Sequence, residues 1–289
     1  MNGGTDTETS DSGTDEGVAT ARNVSALLLA LRAQRRSATV RVSGTPGGAI
    51  HLRDGLVVAV ETPGAPAVEA ILLKSGRISD ADWAGVRAAD PSGERLAAEL
   101  GHRALVGAVE LEVVCTATVF DGAFAMSLSA PAGWHVTDRV PALGVEPGVE
   151  PGRLTQETSR RLALLSRLVG APADATRARI HPVAAQPVHS SRHEEILACV
   201  NGRRTPRDIA FALGRGLYPV LLDLVRMEGL GLVRRESRTP SGRPSTAPRS
   251  AASVGQPPYG APGRGPLPRR SPGGHGPKSS SSPGETNNA

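Results

Sequence analysis

Lysine is almost missing from this chain. Only Lys74 and Lys278 occur, against 31 Arg. With Ala and Gly abundant, this matches the residue usage of a GC-rich coding sequence, so a high arginine count alone carries little functional weight. Cysteine is equally scarce. Cys115 and Cys199 lie in apolar stretches without CxxC spacing, which excludes a disulfide framework and a thiolate metal site. They read as buried free thiols of a reducing compartment. No apolar run approaches the roughly 18 residues of a membrane span, and the acidic amino terminus has no signal-peptide core, so a soluble cytoplasmic protein is predicted. The catalytic signatures GxSxG, HExxH and GxGxxG in strand-and-helix context are missing as well. "SGTPGG" lacks the GK[ST] of a phosphate loop and lies between strands. A non-enzymatic protein without metal or cofactor is therefore expected.

Charge is distributed unevenly. Lys plus Arg less Asp plus Glu comes to −4 for residues 1–22, −3 for 23–152, +6 for 153–236 and +6 for 237–289. The first segment holds five carboxylates and, after Met1, only Val18 as a sizeable apolar side chain. Such a segment cannot bury enough surface to offset its ordering entropy. In the last, 30 of 53 residues are Pro, Gly or Ser. Both ends are expected to be disordered, and the basic half to attract polyanions, nucleic acid first.

Between the ends the periodicity changes repeatedly. Val24, Leu27, Leu28 and Leu31 recur at helical spacing behind a possible N-cap, Asn23. A period of two follows at Val40 and Val42. In "AIHLRDGLVVAVE" the pair Asp54-Gly55 predicts a type I′ hairpin that pairs Arg53 with Leu56 and puts Ile50, Leu52, Val57 and Ala59 on the face toward the opening helix. Further helices are predicted in "PAVEAILLKSG", ending at Gly76, in "ADWAGVRAA" behind a Ser79/Asp82 capping box, and in "GERLAAELG". Val109, Val113, Ala117, Phe120, Phe124 and Leu128 make a long stripe, with Leu111, Cys115 and Val119 opposite. A helix apolar all round is central to its domain or part of a homodimer interface over 108–128. Lone His51 and His102 are expected at the surface or at helix ends, and Trp134 over a seam between domains.

Helix, strand, "GGAIHLRDGLVVAVE" and "VEAILLKSG" together resemble the bacterial DUF4388 family, also called PATAN, over residues 23–128. The resemblance implies a non-catalytic interaction module, of a kind found in response regulators and beside small GTPase and roadblock-type partners.

"DRVPALGVEPGVEPGR" marks a boundary. The fold class expected is α+β: an acidic segment 1–22, an α+β module 23–135 with a small sheet, a linker 136–152, a mostly helical domain 153–236 and a basic tail 237–289. Within the second domain, Leu154, Thr158, Leu162, Leu165 and Val169 line one side of a helix. A Pro-rich loop covers 171–191. Helices follow at 192–200, 206–213 with Thr205 as N-cap, and 217–228, then "LGLVRR" as the first strand of a wing. This pattern resembles the winged helix-turn-helix proteins grouped with MarR-like regulators. The resemblance implies that the third helix enters the major groove of double-stranded DNA.

That helix is a poor reader. Its core stripe would be Leu217, Val220, Leu221, Leu224 and Val225, leaving Tyr218, Pro219, Leu222, Asp223 and Arg226 outward. One Arg beside an acid supplies little base readout. Phosphate contacts are better supplied: Arg203, Arg204, Arg207 and Arg215 at the turn, Arg234 and Arg235 in the wing. The candidate DNA-contacting set is these six with Tyr218 and Arg226. The function expected is a transcriptional regulator that touches DNA; the alternative is a protein adaptor of a GTPase or roadblock-type system that does not. His189 and His193, four apart, lack further ligands and do not make a metal site. Glu194 and Glu195 are explained by a helix N-terminus.

Overall fold

The computed structural model describes residues 21–183 and 190–236; the acidic segment before residue 21, the tail after 236 and His189 lie outside the described residues. The fold is α+β, as the periodicity predicts. Helix α1 (Val24–Ala33) starts where the Asn23 side chain accepts from the Ala26 amide. Strands β1 (Ala38–Ser43), β2 (Gly48–Arg53) and β3 (Leu56–Glu61) follow. Asp54 and Gly55 take φ of 51° and 76°, the left-handed pair of a type I′ turn, and Arg53 opposes Leu56.

The hairpin departs from the expected register beyond its first pairs. Leu52 opposes Val57, but His51 opposes Ala59, so Val58 is an extra residue in β3. This bulge turns Val60, rather than Ala59, into the core beside Ile50, Leu52 and Val57. His51 is also not a surface residue. It is buried on the opposite face, its Nδ1 3.1 Å from the Val140 carbonyl and its Nε2 3.3 Å from Glu61. The segment from Asp138 to Val149 reaches this half of the sheet: Val145 donates to the Val58 carbonyl, and Val57 and Val149 exchange backbone bonds. The boundary segment therefore adds to β3 instead of spanning free space.

Helices α2 (Val68–Lys74), α3 (Asp80–Ala89, with the Ser79/Asp82 capping box), α4 (Leu96–His102) and α5 (Ala108–Met126) succeed one another. Strand β4 (Gly133–Thr137) joins the sheet beside β1, giving the order β3-β2-β1-β4. Trp134 sits opposite Val42 in that pairing and packs on the first core. It covers no seam, because it belongs to a strand that the Pro and Gly around it disguise.

Helix α6 (Pro151–Val169) leads to a short α7 (Pro172–Arg177) and strand β5 (Arg179–Pro182). Both lie in the stretch expected to be loop. Pro172 is compatible with α7 because it occupies the first turn, where its missing N–H leaves no bond unmade. Helices α8 (Ser191–Cys199), α9 (Pro206–Leu213) and α10 (Leu217–Gly229) precede β6 (Val233–Glu236). Strand β6 pairs with β5, Ile180 opposite Arg235.

Two hydrophobic cores result, and they share α5. Leu111, Cys115, Val119 and Phe120 belong to the first, with Leu27, Leu52 and Leu72. Phe124 and Ala125, one turn further on, belong to the second, with Leu165, Ile196, Ile209 and Leu224. Helix α5 packs on β3, α6 and α10, and α9 reaches α2. Of the long stripe expected on α5, Phe120 and Phe124 are buried, whereas Val109 and Val113 are 74% and 63% exposed.

Candidate functional site

Helix α10 begins without a cap of its own. Its N-cap residue is Gly216, which has no side chain to satisfy the first free amides. Asp121 on α5 meets that need: its carboxylate accepts from the Leu217 amide at 2.6 Å and from the Tyr218 amide at 2.8 Å. Asp121 is 4% exposed. Burial pushes its carboxyl above the ordinary range, and the two amides and the Arg161 charge pull the other way. The positive end of the α10 dipole offsets part of the cost of this buried acid.

Aromatic and cationic groups close the junction. The Tyr218 ring stands edge-on to Phe124, centroids 5.1 Å apart. The Arg161 guanidinium lies 4.9 Å from the Tyr218 ring and 5.5 Å from that of Phe120, with Arg153 5.7 Å from Phe120. Glu157 orients Arg161 at 2.8 Å and Arg160 at 2.7 Å. Hydrogen bonding to Arg160, and then to Arg161, lowers the Glu157 carboxyl to about 2.

This arrangement changes the reading of α10. Tyr218 and Asp223, expected to point outward, are buried at 8% and 2% exposure, while Val225 of the expected core stripe is half-buried. The helix is covered on two sides, by its neighbours α8 and α9 and by α5 with α6, which a stripe drawn for a three-helix unit leaves out. Asp223 is held by Arg192 at 2.5 Å and by Arg226 at 3.3 Å. Arg226 is thus engaged through its terminal Nη1, although its side chain is 68% exposed.

The other candidates divide clearly. Arg215 pairs with Glu195, and its second terminal nitrogen is buried without a partner among the described residues. Arg204 is half-buried and donates to the Cys199 carbonyl at 3.2 Å. Arg235 pairs with Glu228 at 2.8 Å through Nε. Arg203, Arg207 and Arg234 are exposed and, among the described residues, make no ion pair; Arg207 lies 5.6 Å from the Phe211 ring. Arg179 on β5 adds a fourth exposed guanidinium, missed because its strand is hidden in a Pro-rich stretch. A period-two signal needs more than four residues to be visible.

Among the described residues no group of three His, Cys, Asp or Glu side chains could hold an ion, and His189, four residues before His193, lies outside them. No helix among them is long and apolar enough to cross a membrane.

The chain matches no family model, no curated protein and no solved structure.

Proposed function

We propose that the chain is a non-enzymatic bacterial regulatory protein of the cytoplasm, in which a DUF4388-like module and a winged-helix segment act together as a protein-binding adaptor. One observation carries the reading: the first turn of α10, which a groove-reading helix would present to DNA, is sealed against α5 by Asp121 and Tyr218. A helix that enters the major groove leads with its N-terminal residues. Here those residues are buried, and the one exposed Arg of the helix is tied to Asp223. The exposed Val109 and Val113 on α5 supply an apolar strip for a partner, and the resemblance suggests a small GTPase or roadblock-type protein there, with a second copy of this chain as the competing occupant.

A second reading rests on Arg179, Arg203, Arg207 and Arg234. Guanidiniums that are exposed and, among the described residues, make no ion pair are suited to phosphates and would place double-stranded DNA across the turn and β5–β6 without groove insertion.

Fluorescence anisotropy of the full chain on mixed-sequence duplex DNA, across a salt series, separates the two. The adaptor reading expects the same weak affinity for the wild type and for Arg203→Ala/Arg207→Ala/Arg234→Ala. Submicromolar binding with a steep salt slope, weakened in the triple variant, replaces it with DNA contact.

A further inference from the structure

The two edges of the four-stranded sheet are treated differently. Along β3 runs the 138–149 segment, where Val145 donates to the Val58 carbonyl and Val149 pairs with Val57. Along the outer side of β4 no element among the described residues makes a backbone bond. Which groups face outward there follows from the register. Ser43 and Thr39 turn their carbonyls toward β4, accepting from the Ala132 amide at 2.8 Å and from the Thr137 hydroxyl at 3.2 Å. Backbone direction alternates along a strand, so Arg41 also faces β4, and the register partners of these three, Gly133, His135 and Thr137, face β1. Trp134 and Val136 therefore point their N–H and C=O groups away from the sheet. Their side chains pack on the first core yet stay only half-buried. Natural proteins blunt such an edge with Lys, Pro, an inward charge or a bulge. The strand "GWHVT" holds no Lys, Arg, Asp, Glu or Pro, and its pairing with β1 runs without a shift.

We infer that β4 is the contact between two copies of this chain, paired antiparallel across a two-fold axis at His135. The edge is self-complementary in this register. Trp134 of one copy lies opposite the partner's Val136, and their outward N–H and C=O groups bond to one another with none left over. On the core side the indole rests beside that valine, an aromatic and β-branched pair of the kind that stabilises neighbouring strands. On the other face the two His135 side chains meet at the axis, and Thr137 meets the partner's Gly133, where a Cβ would have open space. The chain's own ends are poorer occupants: Val18 is the one β-branched aliphatic residue of 1–22, and Pro, Gly or Ser make up 30 of the 53 residues of 237–289. One short strand per copy makes a small interface, so the dissociation constant should be on the order of 10 µM. A second copy on β4 leaves the α5 strip to a different protein, and the inference stands whether or not the chain contacts DNA.

Sedimentation velocity of the full chain over a concentration series, joined to cysteine cross-linking, tests it. A monomer–dimer equilibrium at micromolar concentrations is expected. Val136→Pro removes an N–H that makes no bond within one copy, so it should weaken the dimer at least about tenfold with circular dichroism unchanged. His135→Lys, at an exposed position, brings two ammonium groups together at the axis and should weaken it as much, with the melting temperature unchanged. In a Cys199→Ser background, His135→Cys should form an interchain disulfide on mild oxidation, because the facing Cα atoms of such a pair lie about 4.5 Å apart. Thr137→Cys should not, since it faces Gly133 rather than its own copy. Val113→Asp should leave the dimer intact. A monomer at every concentration, a dimer that survives both edge variants or is dissolved by Val113→Asp, or a cross-link in the Thr137→Cys protein and not in the His135→Cys protein would overturn the assignment.

Discussion

Asp121 accepts a 2.6 Å hydrogen bond from the backbone amide of Leu217, 96 residues further along the chain. The bond ties the middle of one long helix to the start of another, and with its companion at Tyr218 it sets which face of α10 is buried. The functional proposal depends on that face, so the bond is the first place to intervene.

Asp121→Ala leaves two buried amides without an acceptor and should destabilise the protein by about 2–4 kcal/mol in urea unfolding. Asp121→Asn keeps one acceptor oxygen and should lose less. The pH dependence has a definite sign. Burial raises the native carboxyl above its unfolded value, so the native state binds the extra proton and the contribution is complete below the unfolded range, then lost as pH rises through the native value. As pH rises from the unfolded range near 4, the wild type should therefore lose stability relative to Asp121→Asn. A flat difference as pH rises would contradict this.

Glu157 titrates with the opposite sign. Its carboxyl is lowered to about 2, so its contribution is complete above the unfolded range near 4.3 and is lost as pH falls toward 2. With Arg160 largely exposed, screening limits the effect, and Glu157→Gln should cost about 1 kcal/mol at neutral pH and nothing in strong acid. Acid unfolding curves of the two proteins that run parallel would rule this out.

Arg161 and Tyr218 should be coupled. The guanidinium is 16% exposed and sits 4.9 Å from the ring, a partly desolvated cation–π pair. A double-mutant cycle with Arg161→Met and Tyr218→Leu should return about 1–2 kcal/mol of interaction energy, against zero for independent side chains.

Gly214 closes α9 in the left-handed region at φ 60°, and a Cβ there would lie 2.4 Å from Lys74 Cβ on α2. Gly76 has a similar φ of 71° but open space around it. Gly76→Ala should cost about 1 kcal/mol of backbone strain alone. Gly214→Ala should cost about 1–2 kcal/mol more, because α9 must move off α2. Equal losses in thermal unfolding would show that α9 and α2 are not in close contact.

Cys115 should be chemically silent. It is fully buried on α5 and burial pushes its thiol up to about 12, whereas Cys199 is half-buried. Mass spectrometry after iodoacetamide treatment of the native protein should find Cys115 unmodified until denaturant is added.

What the chain determines by itself is local. Asp54-Gly55 can turn only in the left-handed region that builds the hairpin, Ser79/Asp82 and Thr205/Asp208 close their own capping boxes, and helical spacing announces α1, α9 and α10 within a residue or two. These signals need no distant partner, because each is satisfied within one turn of chain. The tertiary structure decided everything that depends on a second surface. The Val58 bulge sends Val60 inward once the 138–149 segment lies against the sheet, β4 and β5 exist because β1 and β6 offer them hydrogen bonds, Tyr218 is buried because α5 and α6 cover a side of α10 that its own periodicity marks as free, and Asp223 because Arg192 on α8 meets it. An amphipathic pattern reports how much of a helix is apolar. It does not report how many neighbours arrive, and a polar residue such as Asp121 turns inward whenever unpaired amides wait for it there.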